Sequence, residues 1–189
     1  MKKQLIIFDC FGVIFGEVAP VFLRKFLPEE EAAVLKEKLF VPADLGQVTY
    51  DELMTNMAKA LGMTKEEMMP QWEELFILKE EIVPIIRKLG EENDIALLSN
   101  APLGVVEGLL DKYGLWDLFG RTVISSRVGM AKPDEAIYRY CISLFESEYD
   151  KIYMVDDNPK NLEHLPSMGI TPILYRGVGD LNSIMNYEL

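Results

Sequence analysis

A single carboxylate, Asp9, ends the apolar run LIIF and is followed by Cys10, Phe11 and Gly12. An acid that gives up its water at the end of a buried run costs several kcal/mol unless it is partnered, so its partners must come from elsewhere in the chain. Three other apolar runs end in suitable residues. DIALL leads to Ser99 and Asn100, RTVIS to a loop carrying Lys132, and KIYMV to Asp156, Asp157 and Asn158. Together these side chains suit phosphoryl transfer. A carboxylate can attack phosphorus to form an aspartyl phosphate that water then hydrolyses, the role open to Asp9. Magnesium prefers hard oxygens, and Asp9 and Asp157 with a backbone carbonyl offer them, Asp156 standing behind Asp157. The Ser99 hydroxyl, backbone N–H groups beside Asn100 and a helix N-terminus at Pro102 can hold phosphate oxygens. Lys132 adds positive charge against both phosphate and Asp9, and is expected to depress the pKa of that carboxylate. Pro133 restricts Lys132 to extended backbone and so aims it.

Such a set works only if its segments end on one rim. QLIIF, DIALL, RTVIS, KIYMV and TPILY read as short buried parallel strands. Helical patterns lie between the later ones: from Pro102 to Lys112, from Pro133 through KPDEAIYRYCISLF, and over NPKNLEHLPSMG, closing on Gly169. Strands alternating with helices predict right-handed crossovers and a doubly wound, mainly parallel α/β sheet of Rossmann-like form, whose ligands bind beyond the carboxyl ends of the strands.

Residues 16–79 break that rhythm. They show only helical stretches, near Val21–Leu27, Glu29–Leu39, Tyr50–Leu61 and Lys65–Phe76, with Thr49 and Thr64 as helix starts. This all-helical insert is expected to act as a lid on a core formed by residues 1–15 and 80–189. Its methionines, Met54, Met57, Met63, Met68 and Met69, are expected to pack its small core.

Composition narrows the partners. The 31 acidic residues against 19 basic ones give a net charge of −12, which repels a phosphate backbone and argues against nucleic acid, though not against a small anion in a local pocket. Cys10 and Cys141 have no metal spacing and read as reduced, cytoplasmic thiols. The two lysines before the first apolar run imitate a secretory signal, but Asp9 falls inside that run. No apolar stretch approaches the roughly 20 residues of a membrane helix. The expected partner is a small phosphorylated metabolite, with no nucleic acid, membrane or protein partner.

Four motifs in order, IIFDCFGVIF, ALLSNAP, GMAKPDEAIY and YMVDDNPKN, resemble those of the haloacid dehalogenase superfamily, and the helical insert resembles that superfamily's small cap. The similarity is greatest to bacterial sugar-phosphate phosphatases of the group. It implies that Asp9 matches the nucleophile, Ser99 and Asn100 the phosphate-binding pair, Lys132 the basic residue, and Asp156 with Asp157 the acids at magnesium.

Phe11 departs from the pattern. Most of the superfamily's phosphatases carry a second Asp there, which protonates the leaving group, help worth roughly 10²–10⁴ in rate. Phenylalanine transfers no proton, although its backbone carbonyl can still bind magnesium. The superfamily's dehalogenases carry an aromatic residue at this position but lack the paired acids of VDDN. Dehalogenation is therefore the alternative to phosphomonoester hydrolysis, together with a catalytically weak phosphate-binding or regulatory protein. Glu17, at the hinge of the insert, is a candidate for the missing acid. His164 lies two helical turns past Asp157 and reads as a surface or packing residue, and Cys10, near a carboxylate in apolar surroundings, as unreactive. Arg24, Lys36 and Lys38 read as solvated helix charges.

Overall fold

The computed structural model describes residues 3–185 of the chain. The strand β1 (Leu5–Phe8) is buried at every position, as a strand covered on both faces must be. The chain then leaves the sheet for helices α1 (Ala19–Leu23), α2 (Glu29–Asp44), α3 (Tyr50–Ala60) and α4 (Lys65–Glu73). Local chemistry accounts for their starts. Thr49 and Thr64 each accept the N–H of the glutamate three residues on, at 3.2 Å, while that glutamate's carboxylate takes the threonine N–H at 2.9 Å. These reciprocal caps satisfy donors that helix ends otherwise leave open. The insert has its own core, in which Phe22, Leu23, Met54, Met57, Met68 and Trp72 are buried, with Met63 and Met69 packed partly against them. That is the packing expected of its methionines. Its two ends are tied together: Gly16 N–H donates to the Ile77 carbonyl and Lys79 N–H to the Ile14 carbonyl, both at 2.9 Å.

After α5 (Val83–Gly90) come β2 (Asp94–Ser99), α6 (Val105–Tyr113), β3 (Arg121–Ile124), α7 (Ser125–Val128), α8 (Glu135–Ser143), β4 (Ile152–Asp156), β5 (Ile170–Leu174) and α9 (Asn182–Met185). The five strands form one sheet of order β3-β2-β1-β4-β5, and every pair is parallel. This is the doubly wound α/β architecture the sequence predicts. Alternate residues of β1 enter different cores, Ile6 and Phe8 with Ile86, Val106 and Leu110 on one face, Leu5 and Ile7 with Ile137, Tyr138 and Cys141 on the other. From β1 the chain adds β2 and β3 on one side, then crosses to add β4 and β5 on the other. The switch point, where such sheets bind ligands, lies at the carboxyl ends of β1 and β4. Among the described residues no helix is long and apolar enough to cross a membrane.

Several expected helices differ. NPKNLEHLPSMG forms two short 3₁₀ turns, Pro159–Asn161 and Leu165–Met168, because Pro166 has no N–H and its ring would collide with the carbonyl one turn back in a continuous helix. The helix expected from Pro102 starts at Val105, behind a left-handed Gly104. Pro133 precedes the cap of α8, Asp134, whose carboxylate accepts the Ala136 N–H at 2.9 Å.

Candidate active site

The register of the sheet assembles the site. Phe8 lies beside Leu97 of β2 and Val155 of β4, so the next residues, Asp9 and Asp156, emerge level from neighbouring strands. The Asp9 N–H donates to the Val155 carbonyl at 2.9 Å. Between the two acids lies the Lys132 ammonium, 2.9 Å from Asp9 Oδ1 and 2.7 Å from Asp156 Oδ2, its side chain only 1% exposed.

Asp156 is fully buried, and both its oxygens are engaged: beside Lys132, it accepts from the Asn158 N–H at 2.9 Å and from Asn161 Nδ2 at 3.0 and 3.1 Å. It holds Lys132 in place, with little capacity left for a ligand. Asp157 is half-buried, and its backbone carbonyl accepts from Arg176 at 2.7 Å. Its carboxylate lies over the first loop so closely that a Cβ on Gly12 would sit 2.2 Å from it, and Gly12 has a left-handed φ of +81°. Glycine is required there both for the turn and for the approach.

The loop after β1 leaves one oxygen free for a ligand. Phe11 and Phe15 form a bridge closed by Gly12 N–H to the Phe15 carbonyl and Phe15 N–H to the Cys10 carbonyl, so neither polar backbone group of Phe11 is used in it. The Phe11 ring packs against Phe76 at 6.0 Å and joins the core to the insert. Asp9, Asp156 and Asp157 can each point an oxygen into a sphere where all lie within 4.8 Å of one another.

Three carboxylates against one buried ammonium make an electrostatically unbalanced cluster. The pKa of Asp9 is pushed up to about 8, chiefly by burial and secondarily by Asp156 and Asp157, despite the opposing pull of Lys132. The expected net depression by Lys132 is therefore corrected: loss of water outweighs the ion pair. Burial and the same crowding raise Asp157, while Asp156 and Asp9 raise the pKa of Lys132 against its own burial, so the ammonium stays charged. The donor set and its excess negative charge fit a hard divalent cation.

The β2 end also departs from expectation. Ser99 Oγ is buried with no nitrogen or oxygen partner among the described residues, and the Cys10 thiol beside it is raised well above its ordinary range by burial and by Asp9. A thiol is a weak hydrogen-bond partner for a hydroxyl, and a ligand oxygen would be a stronger one. The Asn100 amide is fully occupied: Nδ2 donates to the Lys132 carbonyl and Oδ1 accepts the Lys132 N–H, both at 2.8 Å. It clamps the Lys132 backbone, so its side chain is not offered to phosphate. Nor is the start of α6, whose Gly104 N–H donates to the Glu107 carboxylate at 2.9 Å, itself paired with Arg127 at 2.7 Å.

Glu17 is near enough to raise the pKa of Asp157, but its exposed carboxylate pairs with Arg24 at 3.4 Å. His164 is exposed, on a turn beyond the cluster. The sequence reading missed Asn161, Arg176 and Lys79; the Lys79 ammonium donates to the Gly12 carbonyl and lies 5.0 Å from the Tyr175 ring. Arg176 and Lys79 act from positions whose spacing carries no motif, whereas Asn161 closes the run YMVDDNPKN. Ser125, whose hydroxyl accepts the Ala101 N–H at 3.0 Å, at least lies in the serine pair that follows β3.

Comparison with known proteins decides the family. Residues 3–169 match the model of the haloacid dehalogenase-like hydrolases. The chain belongs to that family. A drimenol cyclase of Aspergillus calidoustus is 26% identical over 182 residues, 91% of this chain and 34% of that protein; the chain thus spans about a third of that relative's length. Among solved structures, a HAD family enzyme of Bacteroides thetaiotaomicron in complex with magnesium and inorganic phosphate superposes with a TM-score of 0.77 at 19% identity, covering 98% of this chain and all 100% of that one. The L-2-haloacid dehalogenase of Xanthobacter autotrophicus, with chloropropionic acid covalently bound, gives a TM-score of 0.65 at 17% identity, covering 99% of this chain and 84% of that one. As a haloacid dehalogenase-like hydrolase, the chain carries Asp9 at the carboxyl end of its central strand, where a carboxylate can attack a substrate held over the rim.

Proposed function

We propose that the protein hydrolyses a small phosphomonoester with the help of magnesium, through an aspartyl phosphate at Asp9, with a sugar phosphate as one candidate substrate. The observation that carries this reading is the cluster of Asp9, Asp156 and Asp157, two of them paired with the Lys132 ammonium, beside the buried Ser99 hydroxyl, whose one neighbour for a hydrogen bond among the described residues is the Cys10 thiol. Magnesium held by Asp9, Asp157 and the Phe11 carbonyl would offset the repulsion between an anionic nucleophile and an anionic phosphate. Asp9 attacks phosphorus; Lys132 holds Asp9 in line and balances charge on the phosphate; Ser99 donates to a phosphate oxygen; Asp156 and Asn100 keep Lys132 fixed, one by its ammonium and the other by its backbone. The complex of the Bacteroides enzyme with magnesium and inorganic phosphate supports the reading by analogy. In this reading residues 16–79 serve as a cap that excludes bulk water and selects a small phosphorylated metabolite, and the enzyme works in the cytoplasm without nucleic acid, membrane or protein partners.

Phe11 and the likeness to a haloacid dehalogenase favour a second reading, carbon–halogen hydrolysis. A halide departs without a proton, which suits an aromatic residue at that position. It also departs without a metal, and three acids sharing one cation then have no purpose. A screen of p-nitrophenyl phosphate and a panel of phosphomonoesters, with magnesium and with chelator, separates the two. The expected result is phosphate release that Asp9→Asn and chelation each abolish. Halide release from a 2-haloacid without phosphatase activity would reverse the order.

A further inference from the structure

We propose that Asp44, delivered by the helical insert, is the acid that protonates the leaving group, the task for which Phe11 has no proton. The inference rests on the phosphomonoesterase reading. In phosphoryl transfer the attacking and leaving oxygens lie roughly in line, so with Asp9 beneath the phosphate the leaving oxygen points away from the rim, toward the insert. Every acidic residue of the insert is exposed except Asp44. Its position is also anomalous. It ends the long helix α2, at the negative end of the helix dipole, in a last turn without a basic residue, where an acid works against the helix.

Contacts along the chain lead from Asp44 to Lys132. Two residues on, Gly46 turns with a φ of +73°, and a Cβ there would lie 2.5 Å from the Ser126 carbonyl, so the insert is pressed against α7. The neighbouring Ser125 hydroxyl holds Ala101, and Asn100 holds Lys132. Burial raises the pKa of the Asp44 carboxyl to about 7, against the through-space pull of Lys36 on the same helix and the smaller pull of Lys132. Other charges on the neighbouring elements are engaged: Arg127 of α7 with Glu107, Arg24 beyond α1 with Glu17, and, on α3, Asp51 with Lys65 and Glu52 with Thr49. Lys59 lies in the last turn of α3.

The step balances. An Asp9 oxygen bonds to phosphorus as the ester P–O bond breaks, and the Asp44 proton passes to the departing oxygen, giving the alcohol. Water then attacks phosphorus, its proton returns to the Asp44 carboxylate, and phosphate and free Asp9 are released.

The test is kcat/KM for p-nitrophenyl, phenyl and ethyl phosphates, which carry no hydroxyl for Asp44 to recognise, with magnesium, in wild type, Asp44→Asn and Asp44→Ser. The nitrophenolate departs without a proton, so its ester should lose only a few-fold in the variants, whereas ethyl phosphate should lose about 100-fold or more. The fall of wild-type kcat/KM for ethyl phosphate above about pH 7 should also vanish. Equal losses on all three esters, or none, would overturn the inference and leave the phosphatase reading intact. A wild type inactive on every ester would overturn both.

Discussion

Two withdrawn carboxylates in this molecule are treated in opposite ways. Asp156, on the rim of the sheet, has both oxygens occupied by Lys132, the Asn158 N–H and Asn161. Asp44, on the insert, feels only through-space attraction from Lys36 and Lys132 and has no hydrogen-bond or ion-pair partner among the described residues. The difference separates two kinds of electrostatic work. Groups that must hold a charge in place during reaction are fixed beforehand, because a site already oriented has nothing to reorganise when charge develops. A group that must gain and lose a proton is left without donors, because each donor would fix its charge.

Removing the centre of the fixed set should have the largest effect. Lys132→Met leaves Asp9 and Asp156 buried without their shared cation, and breaking a buried pair from one side costs about 3–5 kcal/mol. Urea unfolding at neutral pH should show that loss, and turnover of p-nitrophenyl phosphate should fall below detection. A variant as stable as wild type would mean that the rim acids do not depend on Lys132. Gly12→Ala comes next. The added methyl meets the Asp157 carboxylate and forces a left-handed backbone on alanine, a strain of about 1–3 kcal/mol. Magnesium affinity, measured by calorimetry, should drop about 10-fold as Asp157 is displaced.

The fixed region was far more legible in the sequence than the proton-handling one. Strands buried on both faces read as continuous apolar runs, and in a parallel sheet the residue after each run lands on one rim, so Asp9, Ser99 and Asp157 can be located from order alone, while Lys132 is returned to the rim by the loop that follows β3 and α7. The duty of Asn100 cannot be read that way, because it depends on two loops meeting 32 residues apart. Lys79 and Arg176 likewise reach the site through backbone carbonyls, which accept from any suitably placed donor. Asp44 left a faint trace, an acid at the wrong end of a helix, but the density of acids on the insert hides it. The apolar spacing over 159–168 is helical in pattern, but Pro166 forbids a continuous helix and the segment forms turns.

Asp44→Asn sharpens the comparison through stability. The fold raises this carboxyl from 3.8 to about 7, so the native state favours the protonated form. Below about pH 4 both folded and unfolded chains hold the proton and the group is neutral in effect. Between there and about pH 7 the unfolded chain has lost a proton that the native state keeps, and stability falls as pH rises. Asparagine does not titrate, so the variant should gain on wild type across that window, by on the order of 1–3 kcal/mol at neutral pH. Paired urea titrations at the two ends of the window measure the gain. Its absence would mean that Asp44 is solvated in solution and free of the insert's influence.

The smallest effect tests how the insert is held. The rim is secured by contacts between distant segments, whereas α3 and α4 begin in caps made by residues three apart. Thr64→Ala removes the cap of α4 and should cost about 1 kcal/mol. Because the lost bonds are local, the change should appear in hydrogen exchange as reduced protection of α4 and its neighbours in the insert, with β1 and β4 protected as before. Thr64 touches none of the groups assigned to catalysis, so turnover of p-nitrophenyl phosphate should change little. Equal loss of protection in α4 and β1 would show that insert and sheet unfold as one unit, and the separation between a fixed rim and an independently held helical unit would fail.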